Sequence, residues 1–268
     1  MSKEKEKKTI RAYGVNHQGE KRDSNEDNIY FNGMYLPEFH SAYYVFETWE
    51  FDTDSFTTFG VFDGMGGLAA GETASYLAAK NIHERLVEYL EYIKESGEKL
   101  VFDEELITKL ILYVNGIVAS EGLQISEEWI GTTLALCMIY KGKCAFVNVG
   151  DSPIYRIRHN HIEKVFTPHT DEEYYKKHNL VGKPGLTQFL GIPEDEYILE
   201  PSVRFGKVRS GDYYLTCSDG LSDMVPMELI EQIVNSDLSL EEKVDALVQT
   251  ALDNGGYDNI TVVLAEVK

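Results

Sequence analysis

Acidic residues stand beside glycine, or beside a second acid, at five places where the local pattern predicts the start or end of a strand. In the clearest case the apolar residues 59–62 run into Asp63, and glycines follow at positions 64, 66 and 67. The full set of acids is Glu26, Asp27, Asp63, Asp151, Asp219 and Asp258. Each of them alone is typical of a turn, but their recurrence in one chain favours a shared role.

Carboxylates that converge in a fold bind hard divalent cations. Mg²⁺ and Mn²⁺ prefer carboxylate, carbonyl and water oxygens, and the sequence has no His/Cys cluster that would indicate zinc. Two such ions about 3.5–4 Å apart can share a carboxylate and activate a water for in-line attack on phosphorus. Arg22 is the candidate for holding phosphate oxygens, because its planar guanidinium matches them better than an ammonium does. The alternative for Arg22 is a solvated surface charge.

The composition limits the classes of partner. The chain of 268 residues carries 45 acidic against 25 basic side chains, a net charge of −20 that repels nucleic-acid phosphates and anionic membranes. No apolar run is seen with the length of a membrane span, and none has the form of a signal peptide. The three cysteines lie in strand-like stretches, where buried reduced thiols are expected. We therefore expect a cytoplasmic monomer without nucleic-acid or membrane partners, with residues 1–9 as a flexible charged tail.

The order of predicted elements indicates the fold class. Helical spacing of apolar residues predicts helices over 68–96 and 103–120, one near Pro226, and one that begins at Ser239 with a capping box. Predicted strands cover residues 10–16, 28–32, 42–48, 56–62, 132–140, 145–149, 154–158, 161–166, 197–205, 212–218 and 259–267. The third and fourth strands read as an aromatic hairpin with its tip at 52–55, and 168–191 as an irregular loop. Because strands and helices do not alternate regularly, we predict an α+β fold of stacked antiparallel sheets with helices outside.

Six short motifs carry a family resemblance. They are RDSNED (22–27), VFDGMGG (61–67), GTT (131–133), GDS (150–152), CSDGLSD (217–223) and GYDNITV (256–262). In this order they resemble the motifs of the metal-dependent protein serine/threonine phosphatases of type 2C, the PPM family, in its bacterial form. The resemblance implies that residues 10–268 form a single catalytic domain. It also implies a central antiparallel β-sandwich flanked on both sides by helix pairs, with metals in a cleft at one edge.

The resemblance assigns metal ligands position by position. Asp63 would be shared by two Mg²⁺ or Mn²⁺ ions, and Gly64 would offer its carbonyl oxygen to one of them. Asp219 and Asp258 would complete the first ion, and Glu26 would serve the second. The metal centre implied for this chain is therefore built from oxygen ligands alone.

The same resemblance implies the reaction. Asp27 would hold a water on the second ion, and Arg22 would bind substrate phosphate. Asp151 matches a position that, with Asp219, supports a third ion in many bacterial relatives. The reaction implied is hydrolysis of phosphoserine and phosphothreonine in proteins by metal-bound water, without a phospho-enzyme, in opposition to a serine/threonine kinase.

Several positions depart from the family pattern. Met65 stands where many eukaryotic relatives have a histidine that protonates the leaving group, so a metal-bound water is the expected proton donor. Pro153 and Gln188 each replace a usual arginine, and the flap-like loop 166–191 is shorter than expected, which bears on substrate selection. One alternative is a phosphatase fold that binds metal or a partner without turnover. A second is an acidic calcium-binding structural domain.

Overall fold

The computed structural model of the protein describes residues 8–66, 70–125, 130–193 and 197–268. Five strands come first: β1 (Thr9–His17), β2 (Asp27–Phe31), β3 (Met34–Tyr35), β4 (Tyr43–Asp52) and β5 (Thr57–Met65). The helices α1 (Gly71–Ser96) and α2 (Glu104–Ile125) follow. The middle of the chain forms β6 (Gly131–Thr132), β7 (Leu134–Tyr140), β8 (Lys143–Val149), β9 (Ile154–Arg158), β10 (His161–Lys164), α3 (Glu172–His178), β11 (Ser202–Lys207) and β12 (Tyr213–Cys217). The last elements are α4 (Asp219–Ser222), α5 (Met227–Val234), α6 (Leu240–Asp253) and β13 (Ile260–Val267).

The strands form two antiparallel sheets. The six-stranded sheet has the order β10-β9-β12-β13-β1-β4. The seven-stranded sheet has the order β11-β8-β7-β5-β2-β3, and β6 pairs with the end of β5. The last strand, β13, lies between β12 and β1, with Ala12 opposite Ala265. Both ends of the described chain are therefore built into the same sheet.

A core between the sheets holds the sandwich together. Strand β5 is covered on both faces. Its Phe59 and Val61 face the inter-sheet core, whereas Phe62 faces the opposite side, toward the helices. Tyr214 and Val263 enter the same core from the other sheet. A strand covered on both faces needs apolar residues at successive positions, as this one has.

Helices cover both outer faces. Apolar residues of α1 and α2, among them Ile82 and Ile111, pack on the seven-stranded sheet. Residues of α4, α5 and α6, among them Leu221, Ile230 and Leu247, pack on the six-stranded sheet. The layers run helix, sheet, sheet, helix, which confirms the predicted α+β sandwich.

The capping signal at the start of α6 is also confirmed. The Ser239 hydroxyl accepts from the Glu242 N–H at 3.2 Å, and the Glu242 carboxylate accepts from the Ser239 N–H at 2.8 Å. This reciprocal pair satisfies two N–H groups that the helix itself leaves free. Of the other predicted helices, α1 begins at Gly71 in the structure, and residues 67–69 lie outside the described ranges.

The predicted aromatic hairpin is wrong. Strand β4 pairs with β1 in one sheet, and β5 pairs with β2 and β7 in the other, so the chain at 52–56 crosses between sheets. Both strands contribute aromatic side chains to the inter-sheet core, among them Phe46 and Phe59. Phe51 of β4 lies 5.9 Å from Phe59 of β5, measured between ring centroids. An aromatic pattern alone does not distinguish partners in one sheet from partners across two.

Three further predictions need correction. The loop 168–191 contains helix α3, whose residues are all unburied, so no apolar spacing announces it. Its first turn is acidic and its last turn basic, which favours a helix through the macrodipole. The short helix α4 was not predicted. Strand β11 begins at Ser202, five residues later than the predicted strand at 197–205.

Among the described helices, α2 is the one that has the length and composition of a membrane span. Over Glu104–Gln124 it is long and apolar enough to cross a membrane by length and composition, contrary to the expectation from the sequence. Its Ile107, Ile111 and Val114 side chains are buried in the core that α1 and α2 form with the seven-stranded sheet. A helix that packs on such a core passes the same test.

The structure tests the prediction of buried cysteine thiols but describes only the last residues of the predicted N-terminal tail. Residues 1–7 of the predicted charged tail lie outside the described residues, whereas Thr9 already belongs to β1. The three cysteines, Cys137, Cys144 and Cys217, are buried and free, which confirms the expectation of reduced core thiols.

The close packing around β5 predicts the effect of enlarging one residue. A Cβ at Gly60 would lie 2.0 Å from Leu136 Cδ2 and 2.9 Å from the Ala135 carbonyl oxygen. We expect Gly60→Ala to lower the free energy of unfolding by about 1–3 kcal/mol, because overpacking forces the core to shift.

Urea unfolding followed by circular dichroism measures this change. Gly185→Ala is the matched control, because the atoms nearest its Cβ would be Asp171 carboxylate oxygens at 3.9 Å. The control should change the free energy of unfolding by less than about 0.5 kcal/mol. Equal losses in the two variants would contradict the packing argument.

Candidate metal centre

Acidic residues from both sheets face one pocket, where β2, β5, β8, β12 and β13 begin or end. The pocket has a volume of about 300 Å³. Its lining includes the predicted site residues Arg22, Glu26, Asp63, Gly64, Asp151, Asp219 and Asp258. Asp27 is the exception, because it lies behind the pocket and is only 1% exposed. The fold therefore brings together positions that span more than two hundred residues of sequence.

Asp63 is held by the Gly-Thr-Thr motif. The sequence predicted Asp63 at the end of a strand, but it lies within β5. Gly64 and Met65 continue the strand by pairing with β6. The Asp63 carbonyl oxygen accepts from the Thr133 N–H at 2.9 Å and from the Thr132 hydroxyl at 3.0 Å. Its N–H donates to the Thr133 hydroxyl at 3.0 Å. These backbone contacts fix the strand and leave the carboxylate to face the pocket.

Gly64 is required by a close approach of three segments. A Cβ at this position would lie 2.2 Å from the Gly71 carbonyl oxygen and 2.5 Å from the Glu26 carbonyl oxygen. The Gly64 N–H also donates to that Glu26 oxygen at 3.2 Å. Gly64 does not have the positive φ that a glycine turn would suggest. The glycine thus lets α1 and the Glu26 segment approach Asp63 closely.

Asn259 connects the two sheets at the pocket, a role the sequence analysis missed. Its Oδ1 accepts from the Glu26 N–H at 2.8 Å. Its Nδ2 donates to the carbonyl oxygens of Gln18 at 2.7 Å and Ser24 at 2.9 Å. Its position beside Asp258 in the last motif was the available signal. The side chain ties the segment that carries Arg22 and Glu26 to the start of β13.

Asp27 lies between the sheets, behind the other acids. Its Oδ2 accepts from the Thr261 hydroxyl at 2.6 Å. Burial raises the pKa of Asp27 to about 7, the hydroxyls of Thr261 and Ser218 oppose that shift, and the negative charges of Asp219 and Asp258 add to it. The structure thus places Asp27 as a buried support and not as a residue of the pocket wall.

The acids of the pocket wall carry uncompensated negative charge. Burial, followed by the charges of neighbouring acids, raises the pKa of Asp63 well above its ordinary value. The same causes raise the pKa of Asp151 to about 6, with Lys183 opposing them. Burial also raises the pKa values of Asp219 and Glu26. Oxygen donors with excess negative charge fit a hard divalent cation.

Glu72, in the first turn of α1, adds to this charge and was also missed. It is 5% exposed, and its Oε2 has no hydrogen-bond partner among the residues the structure describes. After burial, the charge of Glu72 is the main cause that raises the pKa of Glu26. The start of α1 therefore adds negative charge near Glu26 that a bound cation would compensate.

Two cationic side chains compensate part of this negative charge. Arg22 Nη2 lies 2.7 Å from Asp258 Oδ2, and Lys183 Nζ pairs with Asp219 Oδ2 and, at 3.1 Å, with Asp223 Oδ2. Across residues 8–66, 70–125, 130–193 and 197–268, no three His, Cys, Asp or Glu side chains are arranged to hold a metal ion. Two of the predicted ligands are instead in ion pairs. Lys183 lies in no motif, so nothing in the sequence indicated it.

Comparison with known proteins identifies the family. The sequence profile of the family described as Protein phosphatase 2C matches residues 46–265, most of the chain. The chain belongs to the protein phosphatase 2C family. Among relatives, the serine/threonine phosphatase stp of Listeria monocytogenes is 32% identical over 218 residues, which cover 77% of this chain and 82% of the relative. The predicted family is confirmed, and with it the class of enzyme, a metal-dependent protein serine/threonine phosphatase.

Solved structures agree with this protein phosphatase 2C fold. The Streptococcus agalactiae serine/threonine phosphatase superposes with a TM-score of 0.74 at 21% identity, over 97% of this chain and 100% of that one. The catalytic domain of the phosphatase PstP, solved in complex with two manganese ions, gives a TM-score of 0.66 at 24% identity. That comparison covers 97% of this chain and 99% of the PstP domain. At these identities the likeness confirms the fold.

The raised pKa of Asp27 predicts how the metal-free protein responds to pH. Because Asp27 binds its proton more tightly in the folded state, stability falls as pH rises from about 4 to about 7. Asp27→Asn removes this titration and should reduce the slope, to which the raised pKa values of the other pocket acids also contribute. In excess chelator we expect the variant to be more stable than the wild type at neutral pH.

Urea unfolding in chelator at several pH values measures the slope. Asp237→Asn, on an exposed turn before α6, is the control and should keep the wild-type pH dependence. Parallel curves for the wild type and Asp27→Asn would contradict the assignment of this proton to Asp27.

Proposed function

We propose that this pocket hydrolyses phosphoserine and phosphothreonine in proteins, using two Mg²⁺ or Mn²⁺ ions. The observation that carries the proposal is the convergence of Glu26, Asp63, Asp219 and Asp258 with Arg22 in one pocket. Acids alone would suit many cation sites. An arginine among them adds a group that matches phosphate oxygens.

The ligand assignment is the one that the family resemblance implies, and its members line the pocket. Asp63 would contact both ions, and the Gly64 carbonyl oxygen, Asp219 and Asp258 would be the ligands of one of them. Glu26 would serve the other. When bound, the ions supply Lewis-acid activation of a water for attack on phosphorus. The manganese named for the PstP domain supports this choice of metal.

Asp27 acts through position and not by contact with substrate. Its carboxylate is buried against the Thr261 hydroxyl and lies opposite Asp63 in the register of β2 and β5. From there its carboxylate lies behind Asp63, on the side where the family resemblance implies that it would hold a water of the second ion. This role is consistent with its lack of exposure.

Arg22 binds the substrate phosphate. Its side chain is 49% exposed and is attached to the pocket through one ion pair with Asp258. Carboxylate and phosphate oxygens accept similar hydrogen bonds from a guanidinium. If Asp258 were to bind a metal ion, the partly exposed Arg22 guanidinium could therefore donate to phosphate oxygens instead.

The leaving alkoxide takes its proton from water. None of the described residues that line the pocket is a histidine, and Met65 carries no titratable group. Lys183 and Leu186 of the loop 166–191 also line the pocket.

The cellular setting is part of the proposal. Residues 10–268 act as one catalytic domain on phosphoproteins and oppose a serine/threonine kinase in the cytoplasm, as a monomer without nucleic-acid or membrane partners. The loop 166–191 acts as a short flap beside the substrate. A phosphatase fold without turnover is disfavoured because every predicted acidic ligand is present.

The proposed metal ligands predict a loss of turnover. We expect Asp219→Asn to lower kcat for p-nitrophenyl phosphate and for phosphopeptides by at least about 10³-fold, because one ion loses a charged ligand. Asp237→Asn should retain activity. The assay is run with Mn²⁺ and again with excess chelator.

Wild-type turnover that persists in chelator would contradict a metal mechanism. A wild type that binds Mn²⁺ and leaves phosphopeptides intact would favour the binding module. A strong preference for Ca²⁺ without hydrolysis would favour the calcium-binding alternative.

The role of Arg22 predicts a change in substrate affinity. We expect Arg22→Ala to raise KM for a phosphopeptide about tenfold, with a smaller effect on kcat, and Arg22→Lys to recover part of the loss. Lys21→Ala, at the neighbouring exposed residue, serves as the control. An unchanged KM in Arg22→Ala would remove Arg22 from phosphate binding.

A further inference from the structure

Lys183 reaches the acidic pocket from a loop that is fixed near its base. The Asp171 N–H donates to the Gly185 carbonyl oxygen at 3.0 Å, and the Gly185 N–H donates to Asp171 Oδ1 at 2.7 Å. Lower on the same loop, the His169 N–H donates to the Gly150 carbonyl oxygen at 3.0 Å, next to Asp151. Lys183 is thus held two residues from an anchored position.

The ammonium of Lys183 pairs with two carboxylates and lies in the same pocket as a third. It contacts Oδ2 of Asp219, whose side chain is 13% exposed, and Oδ2 of Asp223 at 3.1 Å. Asp151 lines the same pocket and senses the charges of both Lys183 and Asp219. One positive charge therefore offsets part of the negative charge of three acidic groups in this part of the pocket.

This contact differs from an ordinary surface ion pair. Exposed pairs contribute little, because water competes for both partners. Lys183 and Asp223 are 54% and 50% exposed, but Asp219 is only 13% exposed and lies beside further negative charge. Removing the cation would therefore leave the charge of Asp219 uncompensated. The contact uses Asp219 Oδ2 and not Oδ1.

We propose that the Lys183 ammonium takes the place of a third divalent cation at Asp151, Asp219 and Asp223, so that this phosphatase operates with two metal ions. The proposal rests on the proposed function. A lysine ammonium is a compact point charge on a flexible stem, which suits a position otherwise filled by a small cation. Docking of the flap and charge compensation at Asp219 are then one event.

The proposal is tested by counting bound metal ions. Isothermal titration calorimetry with MnCl₂ measures ions bound per chain in the wild type, Lys183→Met, Lys183→Gln and Lys183→Arg. We expect two ions in the wild type and in Lys183→Arg, and one additional ion in each neutral variant. Lys177→Met, an exposed lysine on the same flap, is the matched control and should keep two.

A double variant locates the additional ion. Adding Asp223→Asn to Lys183→Met should remove or weaken it, since Asp223 would be one of its ligands. Thermal unfolding of each variant verifies the fold, and two neutral replacements guard against a loss specific to one of them.

Three ions in the wild type, or two in both neutral variants, would overturn the proposal while leaving the two-metal phosphatase intact. No bound Mn²⁺ in the wild type would overturn the proposed function itself, and this inference with it. The two failures are therefore distinguishable in one titration series.

Discussion

The burial of several carboxylates close to one another is the constraint on which the rest of this structure depends. Asp63, Asp151, Asp219 and Glu26 have raised pKa values because the fold holds them partly buried and close together. Such an arrangement works against folding unless cations offset it. Arg22 and Lys183 offset part of the charge, and the remaining excess is what makes the pocket suited to divalent ions.

Backbone contacts keep the acids in place despite this unfavourable burial. Thr133 holds the backbone of Asp63 within its sheet, and Asn259 joins the Glu26 segment to the other sheet. Asp219 follows β12 and Asp258 precedes β13 of one sheet, whereas Asp63 lies in β5 of the other, so the pocket depends on the packing between the sheets. The inter-sheet core therefore contributes to the site without contacting it.

Local sequence patterns predicted features that depend on a few neighbouring residues. They failed for features that depend on which distant segment a strand pairs with. The capping box at Ser239 and the buried strand before Asp63 were read correctly, since both signals lie within a few residues. The hairpin at 52–55 was wrong because pairing partners are remote in sequence. Helix α3 escaped notice because it has no buried face, and apolar spacing is the usual signal of a helix.

The sequence by itself determined the family, the layered α+β class and the identity of the acids, because motifs in a fixed order carry that information without coordinates. Only the tertiary structure decided that Asp27 lies behind the pocket, that Gly64 is required by close approach, and that Lys183 enters the site. Each of these depends on segments that meet in space but not in sequence, and no local pattern records such a distance.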